Sequence, residues 1–169
     1  GYATDLWSDR AVRFLRENRR RPFFLYLAYN GPYGLGPLLL NEARNRHRDE
    51  YAGKPLLSFH RDAMHPWLFN NKQYLNNPTS IRRVAAEISG VDDGVGRVMA
   101  TLKELGLDQR TLVVYAADQG WMGGTNGLWG MGDHTRPIGA FDGMMQIPWL
   151  FRHPGSIRPN AKSDALVSN

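Results

Sequence analysis

Two uninterrupted apolar runs constrain this chain more than any other feature. Phe23-Phe24-Leu25-Tyr26-Leu27-Ala28-Tyr29 follows Pro22 and is closed by Asn30-Gly31-Pro32. Thr111-Leu112-Val113-Val114-Tyr115-Ala116-Ala117 runs straight into Asp118-Gln119-Gly120. Runs of this length, bounded by turn residues and without polar alternation, are the pattern of strands buried on both faces. Between them, Ile81, Val84, Ala85, Ile88, Val91, Val95, Val98, Met99, Leu102 and Leu105 recur at three- and four-residue steps. That spacing predicts a long amphipathic helix over 79–105. Strand, helix, strand in this order predicts an α/β layered fold with a mainly parallel sheet, because parallel strands need a crossover and cover on both faces.

Other segments fill in around this frame. Residues 3–18 read as a second amphipathic helix, with Leu6, Val12, Phe14 and Leu15 apolar and Thr4 or Asp5 as cap. Thr79 or Ser80 would cap the long helix, and Gly106 suits its end. Gly90, Gly94 and Gly96 weaken its middle and imply either a close neighbour or a break. Residues 30–78 are irregular and rich in Asn, Pro, His and Arg, which marks a functional loop region or partial disorder. A Gly-rich loop runs from Gly120 to about Gly143, and a short third strand is expected at Ile147 to Phe151. No internal repeat or domain boundary is evident.

Composition narrows the function classes. The chain has 169 residues and a formal charge of +5. The excess is scattered, as on a solvated surface, and is not the footprint of a nucleic-acid binder. The one dense basic run, Arg16 to Arg21, falls where a helix should end and faces its dipole. With no cysteine, disulfides, Cys-ligated zinc and a Cys nucleophile are excluded within this segment. No apolar run is long enough for a membrane span. The start without Met and the unpunctuated end imply an internal segment, 1–169, of one larger domain, and compartment is left open.

In open α/β sheets, ligands bind beyond the carboxyl ends of the strands. Asn30-Gly31-Pro32-Tyr33-Gly34 and Asp118-Gln119-Gly120 both fall there. A carboxylate and an amide oxygen side by side suit a hard cation. An Asx turn closing a strand explains the same residues. Two oxygen ligands are also fewer than the 6–8 that Ca²⁺ takes, so others would have to come from elsewhere.

Several stretches together carry a family resemblance. "TLVVYAADQG" resembles the sulfatase strand that ends in Ser-Asp-Asn-Gly or Ser-Asp-Gln-Gly. "NGLWGMGDHTRP…FDGMMQIPWLFRHPG" resembles the following His-Gly-Leu-Trp-Gly-Lys-Gly loop, acidic pair and strand ending Trp-Pro-Gly. "PFFLYLAYNGPYG" is similar to Pro-Phe-Phe-Leu-Tyr-Leu-Ala-Tyr-Asn-Ala-Pro-His. "ISGVDDGVGRVMATLKELGLDQRTLVV" resembles the helix before the metal strand, and "SDALVSN" the segment toward the end of the catalytic domain. The stretches span nearly the whole chain in the family order.

The resemblance implies an alkaline-phosphatase-like three-layer sandwich and hydrolysis of a sulfate ester. It also implies a Ca²⁺ or Mg²⁺ ion and a formylglycine nucleophile made from a Cys/Ser-X-Pro-X-Arg motif that this chain lacks, so the chain is not expected to be active by itself. Asp118 and Gln119 match the second pair of metal ligands, and the first pair has no counterpart here. Three positions depart from the pattern: Tyr33 stands for a His, Asn126 for the His before Gly-Leu-Trp, and Met131 for the Lys after Trp-Gly. Tyr33 and Asn126 remain candidates to contact substrate. His134 and Arg136, on the same loop, are the candidates for general acid and sulfate contact, while Arg136 beside Pro137 could equally pin the loop. His47, His60, His65 and His153 show no ligand spacing, and Trp67, Trp121, Trp129 and Trp149 suit either a pocket or a core. The implied substrate is a sulfated small molecule or glycan, in a periplasmic or secreted setting. A phosphoester hydrolase or phosphotransferase of the same superfamily, or a non-catalytic module binding sulfated glycans, are the alternatives.

Overall fold

The computed structural model describes residues 1–165 and 167. Leu166, Ser168 and Asn169, in the Ser163–Asn169 stretch, lie outside the described residues. Helix α1 (Ala3–Asn18) buries Thr4, Ser8, Ala11 and Leu15 along one stripe. It starts at Tyr2 rather than at the expected Thr4 or Asp5, without a side-chain cap. Helix α2 (Pro78–Glu104) is unbroken over 27 residues. Its cap is Asn77, whose side chain accepts from the Thr79 and Ser80 N–H groups. Thr79 and Ser80 therefore sit inside the first turn, because Pro78 with its fixed φ occupies the first helical position. Gly106 ends the helix at φ +65°, and Leu107 N–H closes back on the Leu102 carbonyl at 2.8 Å, a left-handed stop that favours glycine.

The glycines inside α2 mark close packing, not a break. A Cβ on Gly94 would lie 2.5 Å from Ser8 Oγ and 2.6 Å from Tyr29 Oη. One on Gly90 would lie 2.8 Å from both Tyr2 Oη and Asn45 Nδ2. The absent side chains let α1, α2 and the 23–29 segment meet. There Ser8 Oγ and Tyr29 Oη are 3.0 Å apart, and burial pushes the Tyr29 phenol up.

The 23–29 run is extended, and its odd-numbered residues turn toward the helices. Phe23 and Leu25 pack on the buried cluster of Leu15, Leu102 and Leu107. The even-numbered residues face outward, with Phe24 86% and Tyr26 82% exposed. The second run forms β1 (Val113–Ala116). It pairs antiparallel with β4 (Trp149–Arg152), Val114 opposite Phe151. Between them β2 (Met122–Gly123) and β3 (Trp129–Gly130) form a second antiparallel pair.

Both ladders among the described residues are thus antiparallel. The parallel pairing implied by the strand–helix–strand order is not formed among them, since 23–29 has no ladder partner there. The two-sided burial is not met either, because Leu112, Val114, Tyr115, Leu150 and Phe151 are exposed. Both faces of this pair carry exposed apolar side chains, Val114 beside Tyr115 and Leu150 beside Phe151. The α/β organisation itself holds. The larger core lies beneath the loops, where Leu39, Leu68, Tyr74, Ile81, Leu128 and Trp129 are buried together. The 30–78 region is accordingly ordered around that core, although its only helix is the short 3₁₀ turn Pro37–Leu40.

Candidate functional site

The loops that follow the two apolar runs are tied to each other and to α2. Arg83 and Glu87, one turn apart on α2, form a buried ion pair at 2.9 Å. Arg83 Nη1 also donates to the carbonyls of Leu38, Asn41 and Glu42. The second oxygen of Glu87 accepts the Tyr33 N–H at 3.1 Å. One residue on, the Gly34 carbonyl accepts Trp129 Nε1–H at 2.8 Å. A Cβ on Gly34 would come within 2.6 Å of the Trp121 ring, so this position needs glycine. Tyr33 is held by its backbone while its ring stays exposed. Trp121 and Trp129 pack edge to face at 4.9 Å and form core.

Asp118 and Gln119 are exposed beyond the end of β1. Their anchor is Gly120, buried, whose N–H donates to the Met144 carbonyl at 3.1 Å. A Cβ there would lie 2.4 Å from the Gly143 carbonyl oxygen. The short helix α3 (Asp142–Met145) therefore sets the position of the Asp118-Gln119 turn. These two consecutive oxygen donors suit a hard divalent cation as part of a ligand set. Among the described residues no group of three or more His, Cys, Asp or Glu side chains could hold a metal unaided.

Asn126 lies in the Thr125–Gly127 turn in the left-handed region, φ +55°. Its N–H donates to Asp62 Oδ2 at 2.7 Å, and the next carbonyl, Gly127, accepts His65 N–H at 3.0 Å. Its side chain stays exposed on this strap.

His134 is the most constrained of the candidates. Its ring lies against Gly130 (φ +106°), where a Cβ would be 2.8 Å from Nδ1. Nδ1 accepts the Met131 N–H at 3.1 Å and lies 3.0 Å from Asp133 Oδ1. The neutral ring with its proton on Nε2 takes the first contact; the imidazolium takes the second. Both contacts fix the orientation of the ring on its loop. The His134 carbonyl accepts the N–H groups of Phe69 (2.9 Å) and Asn70 (3.2 Å). Thr135, 1% exposed, donates its hydroxyl to the Gly132 carbonyl and accepts the Gly139 N–H. The imidazole lines a shallow pocket of about 360 Å³ with Phe69, Asn70, Asn71, Lys72 and Gln73.

Arg136 takes the loop-pinning role left open by its sequence. Its Nη1 donates to the carbonyls of Asp133 (2.9 Å) and Thr135 (2.7 Å), and its guanidinium lies 4.8 Å over the Phe69 ring. The structure therefore joins His134 and Arg136 to the 67–73 segment, Asn126 to the 62–65 segment and Tyr33 to the Trp129 hairpin. Sequence reasoning missed the 67–73 wall. His65, without ligand spacing in the sequence, packs edge to face on Trp67 at 5.4 Å and on Phe141 at 5.6 Å. The proximity of Asn70, Asn71 and Lys72 to one another in an irregular stretch was the only signal.

Comparison with known proteins identifies the family and the fold. A family model described as Sulfatase matches residues 1–169. The endo-4-O-sulfatase of Bacteroides thetaiotaomicron is 28% identical over 95% of this chain and 30% of its own length. The solved structure of yidJ from Bacteroides fragilis superposes with a TM-score of 0.71 at 24% identity, over 94% of this chain and 32% of that one. Ps i-CgsB in complex with k-i-k-neocarrahexaose superposes with a TM-score of 0.54 at 26% identity, over 91% of this chain and 28% of that one. The chain thus spans about a third or less of each. The shared fold is the alkaline-phosphatase-like α/β fold.

Proposed function

Because this chain belongs to the sulfatase family, we propose that it supplies one side of a sulfuric ester hydrolase site acting on a sulfated glycan, with 1–169 forming part of a single catalytic domain. Two observations carry the reading: consecutive oxygen ligands at a strand end, Asp118 and Gln119, and, on a separate loop of the same chain, a half-buried His134 oriented through its Nδ1. The oligosaccharide bound by Ps i-CgsB supports the substrate class.

In this reading Asp118 and Gln119 contribute two ligands to a Ca²⁺ ion, with Mg²⁺ as the alternative. The cation, when bound, withdraws negative charge from the sulfuryl oxygens. The nucleophile, a formylglycine, and the remaining ligands belong to sequence beyond this chain, as does the surface covering the open face of Phe24, Tyr26 and Val114. As the imidazolium, with Nδ1–H toward Asp133 Oδ1, His134 would give its Nε2 proton to the ester oxygen as the S–O bond breaks, so that the sugar leaves as a neutral alcohol and the ring is left neutral with its proton on Nδ1, still facing Asp133. Arg136 and the Thr135 hydroxyl hold the loop that aims the imidazole, while Tyr33 and Asn126 present exposed polar groups toward substrate.

The test is sulfate release from sulfated glycans by the full-length protein carrying this chain. Replacing His134 by Ala is expected to lower turnover by about 10²-fold or more, the usual weight of a general acid. Undiminished turnover would remove His134 from this role, and release of phosphate from phosphoesters in its place would move the protein to the other branch of the superfamily. Met131 favours a second reading, a module that binds sulfated glycans without turnover, because a thioether on the site loop supplies no cation. Saturable glycan binding with no hydrolysis of any sulfate ester would select it.

A further inference from the structure

The pocket beside His134 is lined by donors. Asn70, Asn71, Lys72 and Gln73 contribute three amides and an ammonium, and His134 contributes an imidazole. No carboxylate lines it; Asp133 sits against Nδ1, on the loop itself. Asn71 Nδ2 is buried and has no hydrogen-bond partner. A buried donor without an acceptor is an uncommon expense in a folded protein and calls for a ligand or a water. Asn71 takes a left-handed backbone, φ +68°, and its carbonyl accepts the Tyr74 N–H at 3.0 Å. Its amide nitrogen and the His134 ring both flank Gly130: a Cβ there would be 3.3 Å from Asn71 Nδ2 and 2.8 Å from His134 Nδ1. Lys72 is exposed, and among the described residues its ammonium is in no ion pair. The turn that carries these groups is fixed to the site by the Phe69 and Asn70 N–H groups on the His134 carbonyl. Donors held in place, one formal cation and no lining carboxylate are what a tetrahedral oxyanion requires.

We propose that the 69–73 turn and His134 form an oxyanion subsite that holds a sulfate group of the substrate, with Lys72 supplying the charge and Asn71 Nδ2 the buried hydrogen bond. The identity of the oxyanion as sulfate rests on the sulfatase reading; the subsite itself does not.

Inorganic sulfate and inorganic phosphate, each titrated into the full-length protein by calorimetry, test it. Lys72 is exposed, so its substitution leaves folding intact. Wild type is expected to bind sulfate, Lys72→Ala to bind it about 10-fold more weakly, and Lys72→Arg to restore binding to within about 3-fold, since either cation satisfies the charge. In turnover of a sulfate ester, Lys72→Ala is expected to raise KM and the inhibition constant of free sulfate together with kcat little changed, whereas His134→Ala lowers kcat in addition to weakening sulfate. Sulfate binding that is absent from wild type, or equal in wild type and Lys72→Ala, overturns the subsite even if the enzyme hydrolyses sulfate esters. Lys72-dependent sulfate binding in a protein with no sulfatase turnover upholds the subsite and removes the catalytic reading. Lys72-dependent binding of phosphate alone overturns the assignment to sulfate.

Discussion

Asp118 and Gln119 stand exposed past a four-residue strand, with the neighbouring Gly120 N–H donating to the Met144 carbonyl. His134 is held from several sides: by Met131 and Gly130, by the 67–70 segment through its carbonyl, and by the buried Thr135 beside it. The same chain thus carries one candidate element as an exposed pair of oxygen donors at a strand end and the other as a histidine on a braced loop. On the proposed reading the difference follows from the chemistry each element would perform. A hard cation would draw carboxylate and amide oxygens together with its own charge, which suits ligands placed at a strand end. An imidazole that must hand a proton to one oxygen has no such organiser and must be oriented by the fold.

The largest way to break the comparison is to remove what the 30–42 loops share. Glu87→Ala leaves Arg83 buried without its carboxylate and frees the Tyr33 N–H. Losing one partner of a buried pair costs about 3–5 kcal/mol, so thermal unfolding of the full-length protein should show a large drop in midpoint. A change confined to the experimental scatter would mean that the Arg83 contacts to the Leu38, Asn41 and Glu42 carbonyls suffice.

A matched pair of substitutions sharpens it. Gly120→Ala pushes a Cβ into the Gly143 carbonyl and displaces the Asp118-Gln119 turn. Metal affinity should fall about 10- to 100-fold, as when groups behind metal ligands are altered. Thr135→Val removes the hydroxyl that bonds Gly132 and Gly139 on the His134 loop. It should cost about 1–3 kcal/mol through the unpaired groups and lower kcat while leaving metal affinity unchanged. Equal effects of both variants on metal affinity would mean that the two ends are one mechanical unit.

The smallest effect is a control remote from both ends. Arg46 and His47 hold Asp93 on α2, Arg46 Nη2 at 2.5 Å and His47 Nε2 at 2.7 Å. Arg46 chiefly, with His47 adding and burial opposing, pulls the Asp93 carboxyl down from 3.8 to about 2. Its contribution to stability is full above the ordinary carboxylate value and is lost as pH falls toward 2. Hydrogen bonds to Asp93 and Glu50 raise the His47 imidazole above 6.5. Its contribution is full below 6.5 and is lost as pH rises through the raised value. The midpoint difference between wild type and Asp93→Asn should therefore be widest between about pH 4 and 6.5 and shrink on both sides. A difference independent of pH would show that this network carries no charge-dependent stability.

The helices were the most legible part of the sequence. The 79–105 periodicity places α2 to within a residue at each end, because a helix satisfies its own backbone and writes its buried face as a local repeat. The strands were legible as segments but not as a sheet. Residues 23–29 have the composition of a two-sided strand, yet nothing local says what lies beside Phe24 and Tyr26. The site divides in the same way. Asp118-Gln119 is readable as a strand-end pair. Asn71 and Lys72 are not, since their meaning comes from packing beside a histidine 62 positions further on, in a stretch without periodicity. Gly94 shows the intermediate case: its sequence context signals either a neighbour or a break, and only Ser8 and Tyr29 decide.

The measurement closest to the centre of this account is metal-dependent sulfate release by the full-length protein, compared between wild type and Asp118→Ala before and after chelation. The account predicts that wild type releases sulfate with Ca²⁺ restored and loses it on chelation, and that Asp118→Ala is depressed by about 10²-fold or more at any cation concentration reached. Sulfate release by Asp118→Ala at the wild-type rate, or release indifferent to chelation, would contradict it.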